Sequence, residues 1–114
     1  MKTIADISLK KSDQQAIEDV VRLLRRRFPI DRVILYGSKA TGTDTPESDV
    51  DLLLLTKESV SWQQRDAITE ALFDIELAHD VVISTLVVPN SDWVAGRYSI
   101  LPIHDEIERY AVVA

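Results

Sequence analysis

Two periodicities of apolar residues alternate along this chain, and the switches between them mark its elements. Ile17, Val20, Val21, Leu24 and Phe28 recur at helical spacing. Ser12 to Gln15, just before them, has the Ser-x-x-Gln form of a capping box. The pattern therefore predicts a helix over 13–27, ended by Pro29. Val33 to Tyr36 is a short β-rich run that stops at Gly37 and reads as a buried strand. Residues 38–48 hold Gly42, Pro46 and small polar side chains, which predicts a loop with room for one helical turn. Asp49 to Leu55 follows, apolar on both faces after its first residues, as a central strand is. A second Ser-x-x-Gln box, Ser61–Gln64, precedes Ile68, Ala71, Leu72, Ile75 and Ala78 on one helical face. Asp80 is expected to open a third strand over Val81 to Val88, closed by Pro89. Asn90 or Ser91 then caps a short helix containing Trp93. Pro102 stands at the first turn of a last helix, with Ile103, Ile107 and Tyr110 inward. The order α-β-β-α-β-α-α describes a small α/β (α+β) domain.

At 114 residues the chain is expected to form a single domain, 1–114, with one sheet, a few helices and no second substrate domain. No repeat, low-complexity segment or linker interrupts it. No apolar run reaches the roughly 20 residues of a membrane helix, and the first residues lack a signal-peptide stretch. The absence of cysteine removes disulfides, thiolate metal sites and cysteine nucleophiles together, and fits a cytoplasmic location. Thirteen basic against 19 acidic residues give a net charge of −6. That makes a poor bulk ligand for nucleic acid, whose affinity rests on phosphate contacts. Arg22, Arg25, Arg26, Arg27 and Arg32 still cluster. They read first as solvated cations at a helix C-terminus, and otherwise as a surface for an acidic partner or a phosphate.

The chemistry concentrates in Tyr36 to Leu55, YGSKATGTDTPESDVDLLLL. Side chains at i and i+2 of a strand share a face, so Asp49 and Asp51 are neighbours beside buried leucines. Two such carboxylates repel each other and are costly unpaired. A divalent cation resolves this, and magnesium favours one or two carboxylates plus phosphates and water. A third carboxylate would permit two metals roughly 3.5–4 Å apart, as in phosphoryl transfer. Asp80 is the candidate third ligand, at the start of the strand expected beside Asp49–Leu55. Asp74 and Glu76 compete from a helix. Gly37 lets the backbone approach a ligand without a Cβ. The Ser38 hydroxyl and the amides after it can donate to a phosphate, and Gly42 lets the loop fold back. Alone, each of these is an ordinary turn or strand end. Their order between two strands is what carries the signal.

Gly-Ser-x-Ala-x-Gly followed by Ser-Asp-x-Asp-Leu resembles the signature of the DNA polymerase beta nucleotidyltransferase superfamily. The length resembles its minimal members. The resemblance runs from about residue 14 to 110. It is specific over Gly37–Leu55, with Asp80-Val-Val in support. It implies the nucleotidyltransferase fold, a mixed sheet flanked by helices, with magnesium (two ions) and a nucleoside triphosphate, ATP by preference, as substrate. Ser38 matches the phosphate-binding serine, Asp49 and Asp51 the metal ligands, and Asp80 the third carboxylate. Thr41 departs from the pattern, standing where many members have Arg. Lys39, two residues earlier, is expected to offer the triphosphate a flexible point charge instead.

The implied reaction is attack of an acceptor hydroxyl on the α-phosphorus with loss of pyrophosphate. Catalysis would be mostly positioning and charge stabilisation, with Asp80 as the expected proton acceptor. Minimal members are commonly antitoxins that adenylylate a helical HEPN-type toxin. Other relatives adenylylate aminoglycosides with the help of a further helical domain. A non-catalytic toxin-binding module is a rival reading, kept open by Thr41, and homo-oligomerisation is left open too. Trp93 reads as a packing anchor and Trp62 as a staple at a helix start. His79 falls on the face opposite Asp80, His104 has no partner spacing, and Tyr98 and Tyr110 are expected to be partly buried.

Overall fold

The helix expected first does form: α1 spans Lys11–Arg27 and turns Ala16, Ile17, Val20 and Leu24 inward. The structure, a computed structural model, describes residues 2–114. Ser12 does not cap α1. The N-cap is Lys10, without a side-chain cap bond, and Ser12 lies inside the first turn. The acidic residue of that turn, Asp13, suits the positive end of the helix dipole. Arg25, Arg26 and Arg27 fill the last turn, exposed, where cations complement the opposite pole.

The next strands pair antiparallel. β2 is Ile30–Tyr36 and β3 is Val50–Thr56, with Tyr36 opposite Asp51. Leu52 to Leu55 are all fully buried, as a strand covered on both faces requires. A one-turn helix, α2 (Ser38–Thr41), sits between β2 and β3. β4, Ile83–Pro89, runs parallel to β3 and sets Ser84 beside Asp51. Two short strands were not expected. β5 (Val112–Val113) pairs with Ile34 and Leu35, and β1 (Lys2–Thr3) lies along β5. The sheet order is β1-β5-β2-β3-β4.

Each face of the sheet has its own cover. Val33, Leu35, Leu52 and Leu54 pack under α1 and under Ile68 and Leu72 of α3, Trp62–His79. Ile34, Leu53, Leu55 and Val88 pack under Trp93 of α4 (Asn90–Val94) and Ile107 of α5 (Pro102–Tyr110). Trp93 is the buried anchor expected, and its indole N–H donates to Glu108 at 2.8 Å. Tyr110, expected inward, is 53% exposed because Ile103 and Ile107 fill the inner face of α5. Trp62 is 68% exposed and does not act as a staple.

The capping box at the start of α3 forms. Gln64 N–H donates to Ser61 Oγ at 3.1 Å, and Ser61 N–H to Gln64 Oε1 at 2.9 Å. The other end corrects the expectation for Asp80. It does not open a strand. It caps α3 in the left-handed region, φ 54° and ψ 50°, and β4 begins only at Ile83. Aspartate tolerates that conformation better than most residues. The amides of Asp80 and Val81 both donate to the Glu76 carbonyl, which satisfies the helix end. The Glu76 carboxylate in turn accepts from Ile83 N–H at 3.1 Å. His79 Nε2 lies 2.7 Å from Asp19 Oδ2, joining α3 to α1. Among the described residues, no helix is long and apolar enough to cross a membrane.

Candidate functional site

Residues of β3 at alternate positions share a face, so Asp51 points to the side of Leu53 and Leu55, under α4 and α5. Asp49 stands one residue before β3, exposed, while Asp51 is partly buried. Burial pushes the Asp51 carboxyl above its ordinary value, and the Asp49 charge adds to it. The Tyr36 phenol across the ladder is pushed up by burial and then by Asp51.

The Gly-Ser turn comes up directly against Asp51. Gly37 has φ 77° and ψ −160°, a region essentially closed to side chains. A Cβ built there would overlap Asp51 Oδ2 and stand 3.2 Å from its Cγ. The glycine thus serves the backbone and the neighbour together. Ser38 opens α2, whose Ala40 and Thr41 amides turn back to the Gly37 carbonyl at 3.1 and 3.3 Å. Gly42, φ 77° and ψ 17°, ends α2 and folds the loop back as expected, its N–H donating to the Ser38 carbonyl.

Two sequence-predicted residues are not where the chemistry would want them. Lys39 is buried and points to α1, on the face away from Asp51. Its Nζ lies 2.8 Å from Asp13 Oδ2 and 3.4 Å from Asp44 Oδ2. Burial works against its charge, but the bonds to Asp13 and Asp44 outweigh this and raise its pKa. An ammonium so engaged is not directed at a triphosphate. Asp80 is exposed on its helix cap. Among the described residues no three His, Cys, Asp or Glu side chains gather as a metal would need, so Asp80 does not join Asp49 and Asp51. The β4 residue beside Asp51 is Ser84, exposed. Asp74 is exposed on α3, and Glu76 is committed to the Ile83 amide. At Thr41 the hydroxyl turns into its own loop, 2.9 Å from Thr43 Oγ1, and brings no charge.

A cleft of about 190 Å³ borders the turn, lined by Tyr36, Gly37, Ser38, Thr41, Glu106 and Tyr110, among others. Tyr36, Glu106 and Tyr110 were not singled out for it from sequence, since α5 reaches the turn only through tertiary packing. The cleft adjoins a broader depression, about 600 Å³, that shares Thr41 and Tyr110. Another hollow of about 540 Å³ lies across α3 between Arg27 and Glu76, away from both aspartates. Two carboxylates on one face, a glycine pressed against one of them and a serine at the next turn are a hard-oxygen donor set that suits magnesium and a phosphate chain.

Comparison with known proteins shows the family and the fold. The family described as Polymerase beta, Nucleotidyltransferase matches residues 18–93. A Methanocaldococcus jannaschii protein, described as a candidate protein adenylyltransferase, is 33% identical over 95 residues, 83% of this chain and 87% of that protein. A candidate nucleotidyltransferase from Sulfolobus solfataricus superposes with a TM-score of 0.56 at 15% identity, over 94% of this chain and 89% of that one. A structure described as a candidate minimal nucleotidyltransferase gives 0.61 at 22% identity, over 93% and 98%. A toxin–antitoxin crystallised with AMP-PNP gives 0.61 at 16% identity, over 84% and 69%.

Proposed function

We propose that this chain, which belongs to the polymerase beta nucleotidyltransferase family, transfers AMP from ATP to a hydroxyl of a protein partner. The observation that carries the proposal is the contact between the Gly37 backbone and the Asp51 carboxylate. It supports a reading in which the turn would bind phosphate beside a carboxylate pair that would bind the metal. Asp49 and Asp51 would hold magnesium, which supplies a charge that steadies the triphosphate and the departing pyrophosphate. The Ser38 hydroxyl and the amides of Ser38 and Lys39, ahead of those that turn back to the Gly37 carbonyl, would hold phosphate oxygens. The cleft under α5 would take the remainder of the nucleotide. With the triphosphate fixed, the acceptor oxygen bonds to the α-phosphorus, the bond to the pyrophosphate oxygen breaks, and the acceptor proton is lost to water. The pair would hold one ion. The second ion expected from the sequence has no third carboxylate gathered for it among the described residues.

The relative named for protein adenylylation supports a protein acceptor, and the toxin–antitoxin with AMP-PNP supports a toxin as that partner. A helical HEPN-type toxin in the cytoplasm is the partner we propose. A second reading has its own observation. Ser84 beside Asp51, with Lys39 turned away and Thr41 uncharged, favours a module that binds nucleotide and toxin with little transfer. One experiment tests both. ATP and magnesium are titrated calorimetrically into the wild type and Asp49→Asn/Asp51→Asn, and a co-expressed partner is then weighed by mass spectrometry. Binding lost in the double variant, with one adenylyl group gained by the partner, supports transfer. Binding without any mass gain supports the module. No binding by the wild type, alone or with its partner, overturns both.

A further inference from the structure

Lys39 and Asp13 are the only oppositely charged pair in which both side chains are nearly sealed from solvent among the described residues, at 4% and 5% exposure. They are 26 residues apart. A buried ion pair is a weak source of net stability, because desolvation offsets the attraction. What such a pair does supply is a fixed arrangement of the segments it joins. Here one ammonium joins three. Lys39 is the second residue of α2, directly after Ser38. Asp13 lies in the first turn of α1. Asp44 lies in the loop that leads from α2 to Asp49.

We propose that Lys39, held by Asp13 and Asp44, is a positioning residue for nucleotide binding, setting the Ser38 turn against Asp49 and Asp51 without touching the nucleotide. The inference rests on the nucleotide reading above. Its geometric basis is direct. α2 has a single turn and cannot hold itself in place. Gly37 before it and Gly42 after it both sit at φ 77°, where the backbone is least restrained by its own side chains. The chain around Ser38 is therefore fixed from outside, and the Lys39 side chain anchors it to α1, on the face away from Asp51. The second arm, to Asp44, fixes the direction in which the loop leaves for the carboxylates.

The test separates positioning from direct contact. Asp13→Asn leaves Lys39 intact and frees its ammonium. If Lys39 touched the triphosphate, ATP affinity would hold or rise. If Lys39 positions, affinity falls, by roughly tenfold or more on the scale seen for supporting residues of other sites. Lys39→Met should fall by a similar factor, and the double variant by no more than either alone. Lys39→Arg, which keeps the charge, should recover part of the loss. Asp44→Asn removes only the partly exposed arm, keeps the buried pair, and should show a smaller loss in a folded protein. Circular dichroism confirms folding under the titration conditions. Affinity for manganese alone, read by its paramagnetism, reports Asp49 and Asp51 separately. It should stay unchanged while ATP affinity falls, whereas general loosening lowers both. Equal ATP affinity in Asp13→Asn and the wild type overturns this inference. Failure of the wild type to bind ATP, alone or with its partner, overturns the nucleotide reading instead.

Discussion

Gly37 and Gly42 make a matched pair of perturbations, since both have φ 77° and only one touches a carboxylate. Alanine at Gly37 must occupy a region that costs a side chain about 1–3 kcal/mol. At Gly42 it must occupy the left-handed helical region, at about 1–2 kcal/mol. Both substitutions also reduce the freedom of the unfolded chain, which offsets about 0.4–1 kcal/mol. The backbone therefore costs each variant about 1 kcal/mol, or roughly 4 °C of melting temperature for a domain of this size. The neighbours separate them. Nothing lies within 4 Å of a Cβ at Gly42, while a Cβ at Gly37 overlaps Asp51 Oδ2. Asp51 must swing away or the β2–α2 turn must move, and either change separates the turn from the metal pair. Urea unfolding and magnesium-ATP titration on the two variants read the two effects apart. Similar losses of stability are expected, with Gly37→Ala losing at least about tenfold in affinity, or 1.4 kcal/mol, and Gly42→Ala distinctly less. Equal affinities in the two variants would show that the Gly37–Asp51 contact has no part in binding.

Asp51 has a raised pKa from burial and then from Asp49. A folded value above the unfolded one means that ionising Asp51 opposes folding. The apo protein should therefore gain stability as pH falls through that raised value, while magnesium affinity declines over the same window. Carbon-13 titration of the Asp51 carboxyl should show its inflection move down in Asp49→Asn, and an unmoved inflection contradicts the coupling. Asp19 has the opposite sign. Its bond to His79 is the first cause lowering its pKa, so its contribution is complete above the ordinary carboxylate value near 3.8 and is lost as pH falls through the lower folded value. Since Asp19 is 39% exposed, the contribution is discounted to about 0.5–1 kcal/mol. Asp19→Asn should lose that amount in urea at pH 7 and nothing in strong acid; a loss of the same size at both pH values refutes the linkage.

How far the sequence could be read depended on how local each signal was. The apolar stripe of α1, the leucines of β3 and the Ser61–Gln64 box are local, and all three form. The Gly-Ser turn and Asp-x-Asp were legible because their spacing is itself the signal. Ser12 failed as a cap because α1 extends back past it to Lys11, and no local pattern shows that its neighbour Asp13 serves a lysine 26 residues away. Asp80 was misplaced because α3 runs on to His79 and consumes a residue in a left-handed cap; Ser84, which does stand beside Asp51, is found only through strand register. The two-residue strands β1 and β5 are too short to have a periodicity at all.

Those two short strands give the cleft an uneven lifetime. Lys2 and Val112 pair across about 110 positions, a contact that closes late and at high entropic cost. β3, which holds Asp51 and follows directly on Asp49, is stitched on both sides by seven-residue strands. The α5 wall of the cleft, with Glu106 and Tyr110, runs directly into two-residue β5. Breathing is therefore one-sided: amide hydrogens of α5 and β5 exchange with solvent well before those of β3. A cleft of about 190 Å³ is smaller than the roughly 300 Å³ at which ligand pockets begin. The extra room a ligand needs is expected from the α5 wall, while Asp51, held within β3, stays in place.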